Sequence, residues 1–388
     1  MRDARLAPLM LGTMASQALV VVLAPIVVAV ADDLDASVGA VGQARAVAAG
    51  VALAASVVIA RRIDSVAISR LLTLGAGVGL LACAAVAAAP SLTLFLLAQV
   101  LVGLALAALL SAGFAGVAAF PPERRAWALG YVAGANALAW IVVNPAVAAT
   151  ADRFSWRAAH AVPAVLALAA LIAARWAASP AAAPPDAGLR GLLAERSARR
   201  WLVAEVMAFA AWTAVLTFVG AFLIERVGLG QTAAGWALAA GAAAYFASSS
   251  QRGRIAPAMP ARQLVSATAM VMAVLVVVQF GSDGSGALAV GTFCALGLAA
   301  GIRTPASSGL GLDQLPGQPG AMMAARTAAT QLGYLIGAIV GGAVLAVSGY
   351  GTLGVVLAAG LAASAWLVLR VDAPPLAAPS GETRSAEP

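Results

Sequence analysis

Long apolar stretches, separated by short groups of charged, proline and glycine residues, run along almost the whole chain. A helix rises about 1.5 Å per residue, so about 20 residues cross the roughly 30 Å hydrocarbon layer of a membrane. Twelve stretches reach this length, which predicts an all-α, polytopic membrane protein with twelve transmembrane helices. The predicted spans are 6–31, 38–60, 70–89, 92–119, 126–150, 157–178, 201–224, 232–250, 262–282, 286–310, 321–348 and 350–371.

The interval from Ser179 to Arg200 is the longest without an apolar stretch of this kind, and it holds three prolines and four arginines. Such a polar, proline-broken segment predicts a cytoplasmic linker between two six-helix bundles. The predicted organisation is an N-terminal bundle (1–178), the linker (179–200), a C-terminal bundle (201–371) and a disordered cytoplasmic tail (372–388).

Composition supports the membrane interpretation and excludes a soluble globule. The chain is 62% hydrophobic and only 10% charged, with a mean hydropathy of +0.96, so it has too little polar surface for 388 residues in water. The net charge of +7 involves no lysine. Because the arginines lie in short loops between spans, their charge indicates orientation in the membrane rather than binding to nucleic acid.

The distribution of arginines predicts that both termini are cytoplasmic, in a protein of the cell's inner membrane. With the N-terminus inside, 18 arginines fall on the cytoplasmic side and three, Arg153, Arg157 and Arg226, on the other. The first apolar stretch is too long for the core of a cleavable signal, so the first helix is expected to stay in the membrane. Two arginines, Arg45 and Arg303, fall inside predicted spans.

Several kinds of chemistry have no motif in the sequence. It contains no glycine-rich phosphate loop ending in lysine, no His-Glu-x-x-His metal pair and no nucleophile elbow. One histidine with two separated cysteines, Cys83 and Cys294, cannot form an ordinary zinc site. We therefore predict that the protein is not an enzyme and has no metal or cofactor.

The two halves resemble each other. Gly42 in span 2 precedes Arg61 by 19 residues, the interval that separates Gly235 in span 8 from Arg254, and Gly-Leu pairs begin at Gly103 in span 4 and at 297 in span 10. Together these matches suggest a parallel duplication of six helices, an arrangement that encloses a central site near the midplane.

The chain resembles the major facilitator superfamily of transporters, most closely its twelve-span drug:proton antiporter and sugar-efflux branch. The likeness covers residues 6–371. The loop after span 2 matches the family's loop motif at Asp64 and Arg70, Asn144-Pro145 occupies the place of a glycine-proline motif, and 154–157 resembles the aromatic-arginine segment that follows. The chain departs from this branch at two positions. Gln99 stands where span 4 usually has an arginine, and Gln17 is found in span 1, which often carries an acid.

The resemblance implies that spans 1, 4, 7 and 10 line a central cavity. Arg303 could then bind an anionic substrate group or pair with an acid, or it could pack against carbonyls freed by Pro305. Arg45 could reach the cavity or extend outward toward acids near the end of span 1. Glu205, the acid well within an apolar span, is the candidate for proton coupling, with an interfacial ion pair as the alternative.

The remaining candidates divide into recognition and conformational residues. Polar and aromatic side chains within the spans are candidates for the substrate cavity, although some could only hold helices together. These are Gln17, Gln99, Asn136, Trp140, Trp212, Tyr245, Gln331 and Tyr334. The conformational motif comprises Asp64, Arg70, Arg326, Asn144 and Pro145, with Asp64 expected to face Arg326 and the N-terminal end of span 11 when the cytoplasmic side is closed.

These observations favour a secondary transporter in which two bundles rock about a central site. We expect a monomer that exports a small organic molecule, drug-like, metabolite or sugar in type, in exchange for protons. A uniporter or importer of a small organic anion is the same-class alternative. A membrane-embedded enzyme or sensor would need a cluster of acids, histidines or cysteines at one depth, which the sequence lacks.

Overall fold

The computed structural model describes residues 5–60, 66–178, 195–250, 259–282, 285–314 and 319–372, and all regular structure within them is helical. The helices that we label α1 to α12 correspond to the twelve predicted spans. Their bounds are Leu6–Asp33, Val38–Ala60, Ile68–Ala87, Leu92–Ala115, Pro122–Arg153, Trp156–Trp176, Arg196–Glu225, Gln231–Ser250, Ala261–Gly281, Gly286–Leu312, 319–348 and 350–369.

Within the described residues, ten helical stretches are long and apolar enough to cross a membrane. The last of these contains both α11 and α12, which form one stretch, Pro319–Leu369, interrupted at Gly349. The backbone there has φ 78° and ψ −175°, a conformation that glycine adopts readily. The helix that falls short is α8, whose alanine, glycine and serine content lowers its hydropathy, yet it packs between α5 and α10.

The polar ends of α4 and α10 show how the duplicated sequence builds equivalent elements. Ser91 and Ser285 directly precede these helices, and each hydroxyl accepts a hydrogen bond from the backbone N–H three residues on. This satisfies one of the N–H groups that the first turn of a helix leaves without a partner. The two halves therefore begin their fourth helices in the same way.

One glycine in each bundle, at equivalent positions, lets two helices cross closely. A Cβ atom on Gly103 of α4 would collide with the carbonyl oxygen of Ala48 in α2, and one on Gly297 of α10 would collide with that of Gly241 in α8. Ala48 and Gly241 each lie six residues after the glycines that the sequence comparison matched. Small residues at such crossings allow backbones in lipid to approach and pack. The predicted duplication is thus present in the helix packing.

Replacing Gly297 by alanine should destabilise the C-terminal bundle by about 1–3 kcal/mol, because the added methyl group overpacks the crossing with α8. The matched control is Gly291→Ala on the same helix, where an added Cβ meets nothing within 4 Å. Thermal unfolding in detergent should show a lower Tm for the first variant alone. Equal Tm values for the two variants would contradict this account of the crossing.

The two bundles, α1–α6 and α7–α12, meet along pairs of helices that exchange under pseudo-twofold symmetry. α2 packs against α11 and α5 against α8, and α1 packs against α7 on the pseudo-axis. We call the end of the molecule that carries Leu6 and Leu369 the terminal face. The opposite end, where α1 leads into α2 and α11 into α12, is the distal face.

Hydrophobic packing joins the bundles only in the distal half of the described structure. One cluster of buried residues runs through both bundles and includes Val27, Val41, Phe218 and Leu353. Toward the terminal face the core divides into one cluster within α1–α6 and a separate one within α7–α12. The molecule is therefore closed at its distal face and split toward its terminal face.

Hydrogen bonds and backbone contacts reinforce the distal closure. The Gln43 side chain donates to the Ala338 carbonyl at 3.1 Å, and the Gln231 side chain donates to the Pro25 carbonyl at 3.3 Å. Close approaches at glycines accompany these bonds, since Gly220 of α7 packs directly on the backbone of α1. The distal closure thus depends on small residues as well as on apolar area.

Candidate functional site

The sequence-predicted site residues form two neighbouring groups. One is an ion cluster inside the C-terminal bundle, built from α7, α10, α11 and α12. The other lies where α1, α2 and α5 of the N-terminal bundle meet α11. The second group lies roughly midway along its helices, at the depth where this architecture encloses a central site. The ion cluster lies nearer the terminal face, with Glu205 nine residues after the start of α7.

Glu205 on α7 is the centre of the ion cluster. Its Oε1 accepts hydrogen bonds from Arg303 Nη2 at 2.8 Å and from the Ser307 hydroxyl at 2.9 Å, and its Oε2 accepts one from Arg326 Nε at 3.1 Å. The Glu205 side chain is 0% exposed, against 4% for Arg303 and 16% for Arg326. One carboxylate between two guanidinium groups leaves this cluster with a net charge of +1.

Burial makes the three charges depend on one another. Removing an ion from water costs several kcal/mol, and only close, well-directed partners offset that cost in a low-dielectric interior. The contacts of Glu205 meet this condition, with both carboxylate oxygens occupied. Of the alternatives that the sequence leaves open for Arg303, the structure shows the pair with an acid.

A further set of side chains holds the ion cluster in place. Trp201 Nε1 donates to the Ser307 hydroxyl at 3.0 Å, and Ser364 of α12 donates to the Ala204 carbonyl at 2.7 Å while accepting from Arg303 at 3.4 Å. The Arg326 guanidinium lies 5.4 Å from the centre of the Phe209 ring. These contacts tie α7, α10, α11 and α12 together around one carboxylate.

Sequence reasoning missed these supporting residues, although part of the signal was available. Trp201 and Phe209 each lie four residues from Glu205, and Ser307 lies four residues after Arg303. Residues four apart share a helix face, so they were candidates for the surroundings of the charges. Ser364 is a serine in an apolar span with nothing nearby in the sequence to single it out.

Arg45 of α2 is buried at the other group of residues, with 7% of its surface exposed. It donates a hydrogen bond to the Val20 carbonyl of α1 at 3.2 Å, and its guanidinium lies 5.5 Å from the centre of the Trp140 ring of α5. The indole N–H of Trp140 donates to the Gln17 side chain at 3.2 Å. The Arg45 side chain therefore points into the protein and not toward the acids at the end of α1. One of those acids, Asp33, pairs with Arg157.

Tyr334 of α11 connects the two groups. Its ring packs edge-on against Phe209, with centroids 5.9 Å apart. Its hydroxyl lies within electrostatic range of Arg45, Arg326 and the Tyr245 hydroxyl. Trp212 and Tyr245 stack nearby at 6.4 Å. The structure thus brings together aromatic and cationic side chains from both bundles.

Other predicted cavity residues are buried or half-buried polar groups in the helices. Gln99 and Gln331 are buried, and Asn136 is half-buried. Gln331 Oε1 and Asn136 Oδ1 have no hydrogen-bond partner within the described parts of the chain. A buried acceptor without a partner costs free energy, so these two oxygens are candidates for accepting a hydrogen bond from a polar ligand.

The predicted conformational residues lie in different places. Asn144 Nδ2 donates to the Trp140 carbonyl at 2.7 Å, and Pro145 lies within α5 where Gly235 of α8 packs against it. Arg70 is exposed at the start of α3. Asp64 lies outside the described residues, and its expected partner, Arg326, pairs with Glu205.

A cleft of about 410 Å³ opens between the bundles on the terminal side of this site. It lies between the first half of α5 and the last part of α8, with α1 contributing one residue. Its walls are mostly apolar and aromatic, and they include Met10, Trp127, Tyr131, Leu138 and Phe246. A cleft of this size and composition fits a drug-sized amphipathic molecule.

The described residues contain no group of three or more histidine, cysteine, aspartate or glutamate side chains that could hold a metal ion. What they offer a ligand is cationic, aromatic and amide chemistry.

Comparison with known proteins agrees with this arrangement. The sequence profile of the Major Facilitator Superfamily matches residues 9–318 of the chain. Among solved structures, the crystal structure of a mutant of the nucleoside transporter NupG superimposes with a TM-score of 0.79 and 11% sequence identity. The alignment covers 95% of this chain and 100% of that one. No curated protein sequence matches the chain.

The family match extends over both bundles, through α1–α10, and the structural match extends over nearly the whole length. Members of the family move small molecules across membranes and do not catalyse chemical reactions. This chain is therefore a membrane transporter of the Major Facilitator Superfamily, and not an enzyme.

Proposed function

We infer that the protein is a proton-coupled secondary transporter that exports a small organic molecule across the inner membrane by alternating access. The observation that carries this inference is the division of the hydrophobic core. The bundles share one core in the distal half and have separate cores toward the terminal face, with the charged site near the junction. A protein that opens to one side at a time needs such a division, because rigid bundles can then rock about the site.

The arginines assign the terminal face to the cytoplasm in this proposal. Eighteen of the 23 arginines fall on that side in the predicted topology and three on the other. Both termini are then cytoplasmic, and the linker between the bundles lies on the same side. The structure would correspond to a state open toward the cytoplasm, from which an exporter takes up its substrate.

Glu205 is the proposed proton carrier. It is buried, it is held by two arginines, and it lies on α7, a helix that the family resemblance places at the cavity. Protonation would remove its charge and weaken its hold on Arg326, which also lies near Tyr334. A cycle of proton uptake and release at this carboxylate could thus change the contacts of α7 with α11.

Reconstitution into lipid vesicles with an imposed pH gradient tests the proposal. One pH unit corresponds to about 1.4 kcal/mol, which allows about a tenfold accumulation if one proton exchanges for one substrate molecule. We expect such accumulation, from a panel of labelled organic compounds, only with the gradient. Glu205→Gln should abolish the effect of the gradient while counterflow of the same compound continues.

Two outcomes would count against parts of the proposal. Counterflow that ignores pH in the wild-type protein would exclude proton coupling, and a Glu205→Gln variant that still responds to the gradient would exclude Glu205 as the carrier. The variant keeps the volume of the side chain and one accepting oxygen, and like a protonated carboxyl group it carries no charge, so it is preferable to alanine for this purpose.

A uniporter or importer of a small organic anion is the second candidate. It is favoured by the excess positive charge of the site, which holds three arginines, Arg45, Arg303 and Arg326, and one buried carboxylate that pairs with the last two. In vesicles, a uniporter would equilibrate the anion without a pH gradient. We expect either kind of transporter to be a monomer in detergent, and light scattering would measure its mass.

A further inference from the structure

We propose that Arg45 binds the anionic group of an aromatic organic acid, and that Trp140 and Tyr334 hold the aromatic part. This inference rests on the proposed transport function and names the substrate class. It depends on a contrast between the arginines of the two groups. Arg303 and Arg326 share a carboxylate, whereas no carboxylate in the described parts of the chain pairs with Arg45.

The charge of Arg45 is buried, and no acid among the residues that the structure describes pairs with it. Within the described residues its guanidinium donates to one backbone carbonyl, that of Val20, at 3.2 Å, and its Nε has no hydrogen-bond partner. Only 7% of its surface is exposed. Burying a charge without an opposite charge costs free energy. A bound anion would offset that cost, which indicates an anion-binding site at Arg45.

The aromatic neighbours of Arg45 suggest what carries the anionic group. The Arg45 guanidinium lies 5.5 Å from the Trp140 ring centre, a cation–π contact that stabilises the charge in part and orients the guanidinium. The Gln17 side chain fixes Trp140 through the indole N–H. Tyr334 approaches from the other bundle on α11, which packs against α2, where the Gln43 side chain donates to the Ala338 carbonyl at 3.1 Å. A flat acid could therefore pair with Arg45 while its ring lies against tryptophan and tyrosine.

The position of this site couples binding to the movement of the bundles. Arg45 and Trp140 belong to the N-terminal bundle and Tyr334 to the C-terminal bundle. A ligand that contacts all three would attract the bundles toward each other at the depth of the site. The apolar cleft on the terminal side leads toward this region between α5 and α8, and suits the passage of an aromatic molecule.

The test measures binding by thermal unfolding of the full-length protein in neutral detergent. The probes are matched acid and amide pairs: benzoate and benzamide, 2-naphthoate and 2-naphthamide, and indole-3-acetate with its amide. Each pair differs in charge but hardly in shape. We expect at least one acid to raise the Tm while its amide does not, since a ligand that binds the folded state stabilises it.

Variants assign the effect to Arg45. Arg45→Gln should weaken the apparent affinity for that acid by about 30-fold or more, because a buried charged contact is lost. Arg175→Gln, which changes an exposed arginine stacked on Trp176, is the matched control and should bind as the wild type does. If Arg45→Gln does not fold, Tyr334→Leu and Trp140→Leu test the same site, and each should weaken binding of the acid.

Several results would overturn the proposal. They are the absence of a shift with every acid, equal shifts with acid and amide, and an undiminished shift in Arg45→Gln. A fourth is a shift by phosphatidylglycerol in nanodiscs that needs Arg45 and prevents binding of the acids, which would identify the occupant as a lipid headgroup.

Transport assays separate this proposal from the proposed function. If an acid binds through Arg45 but no compound crosses the vesicle membrane, the transport mechanism fails and the binding site stands. If only neutral or cationic compounds are transported and no acid binds, the binding site fails and transport stands.

Discussion

Replacing Glu205 by alanine is expected to destabilise the protein by about 3–5 kcal/mol, a larger loss than we expect from the other single substitutions. The reason is the charge left behind. Arg303 and Arg326 would remain buried beside each other with no carboxylate between them. Because folded proteins are only marginally stable, a loss of this size should remove most of the folded protein. Fluorescence-detected gel filtration and thermal unfolding in detergent would measure it.

Glu195→Ala is the matched control. This glutamate is exposed and directly precedes α7, and its side chain makes no hydrogen bond to the start of the helix. Its Tm should be close to that of the wild type. A second comparison isolates the charge from the packing. Replacing Glu205, Arg303 and Arg326 together by leucine and two methionines should recover part of the stability that Glu205→Ala loses, because similar apolar groups can replace a buried ion cluster. An unchanged Tm for Glu205→Ala would refute the role of the cluster.

The sequence predicted the helices well because membrane spans depend on local composition. Each span needs about 20 apolar residues, and charge or proline marks its ends. α7 shows the limit of this reasoning, since it begins at Arg196, five residues before the predicted span at 201. Arginines near the membrane surface can continue a helix beyond the hydrocarbon layer, so polarity marks the membrane boundary more accurately than the helix boundary.

The members of the ion cluster could be singled out from the sequence, but their pairing could not. Charges within apolar spans are costly, which drew attention to Glu205 and Arg303. Which acid meets which arginine depends on helix rotation and relative depth. Arg326 was expected to face Asp64, a residue outside the described chain, and in this structure it contacts Glu205. The Asp64–Arg326 pair is predicted for the state closed at the cytoplasmic side, so it stays a prediction beside the observed contact with Glu205.

The direction of opening also could not be predicted from the sequence. Pseudo-symmetric halves can close at either face, and the same apolar residues serve both states. In this structure small residues pack across the bundles in the distal half, as at Gly220 and Gly235. Glycine is frequent throughout the chain, with 39 residues, so composition alone does not reveal which glycines lie between the bundles.

The contact between α8 and α5 shows why these glycines matter for a moving protein. A Cβ atom on Gly235 would collide with Ala148 and approach the Asn144 carbonyl oxygen and Pro145. The Asn144-Pro145 pair, predicted as a conformational motif, therefore lies against the glycine that permits distal closure. A contact made of backbone and small side chains can form and separate without rearranging long side chains, as rocking bundles require.

Replacing Gly235 by leucine should therefore prevent closure at the distal face and reduce transport by about tenfold or more. The bulky side chain cannot fit against Asn144 and Ala148, whereas it is tolerated once the bundles separate there. Ala243→Leu is the matched control, because Ala243 is an exposed position on the same helix.

Cysteine labelling would reveal the shift in conformation. In a background without Cys83 and Cys294, a cysteine replacing Leu138, which lines the terminal cleft, should react rapidly with a maleimide in the wild type and slowly in Gly235→Leu. A cysteine replacing Ala24, buried at the distal contact, should show the opposite change. Because one substitution must slow the first reaction and accelerate the second, general loosening of the fold, which would accelerate both, is distinguished from a change in the side that is open.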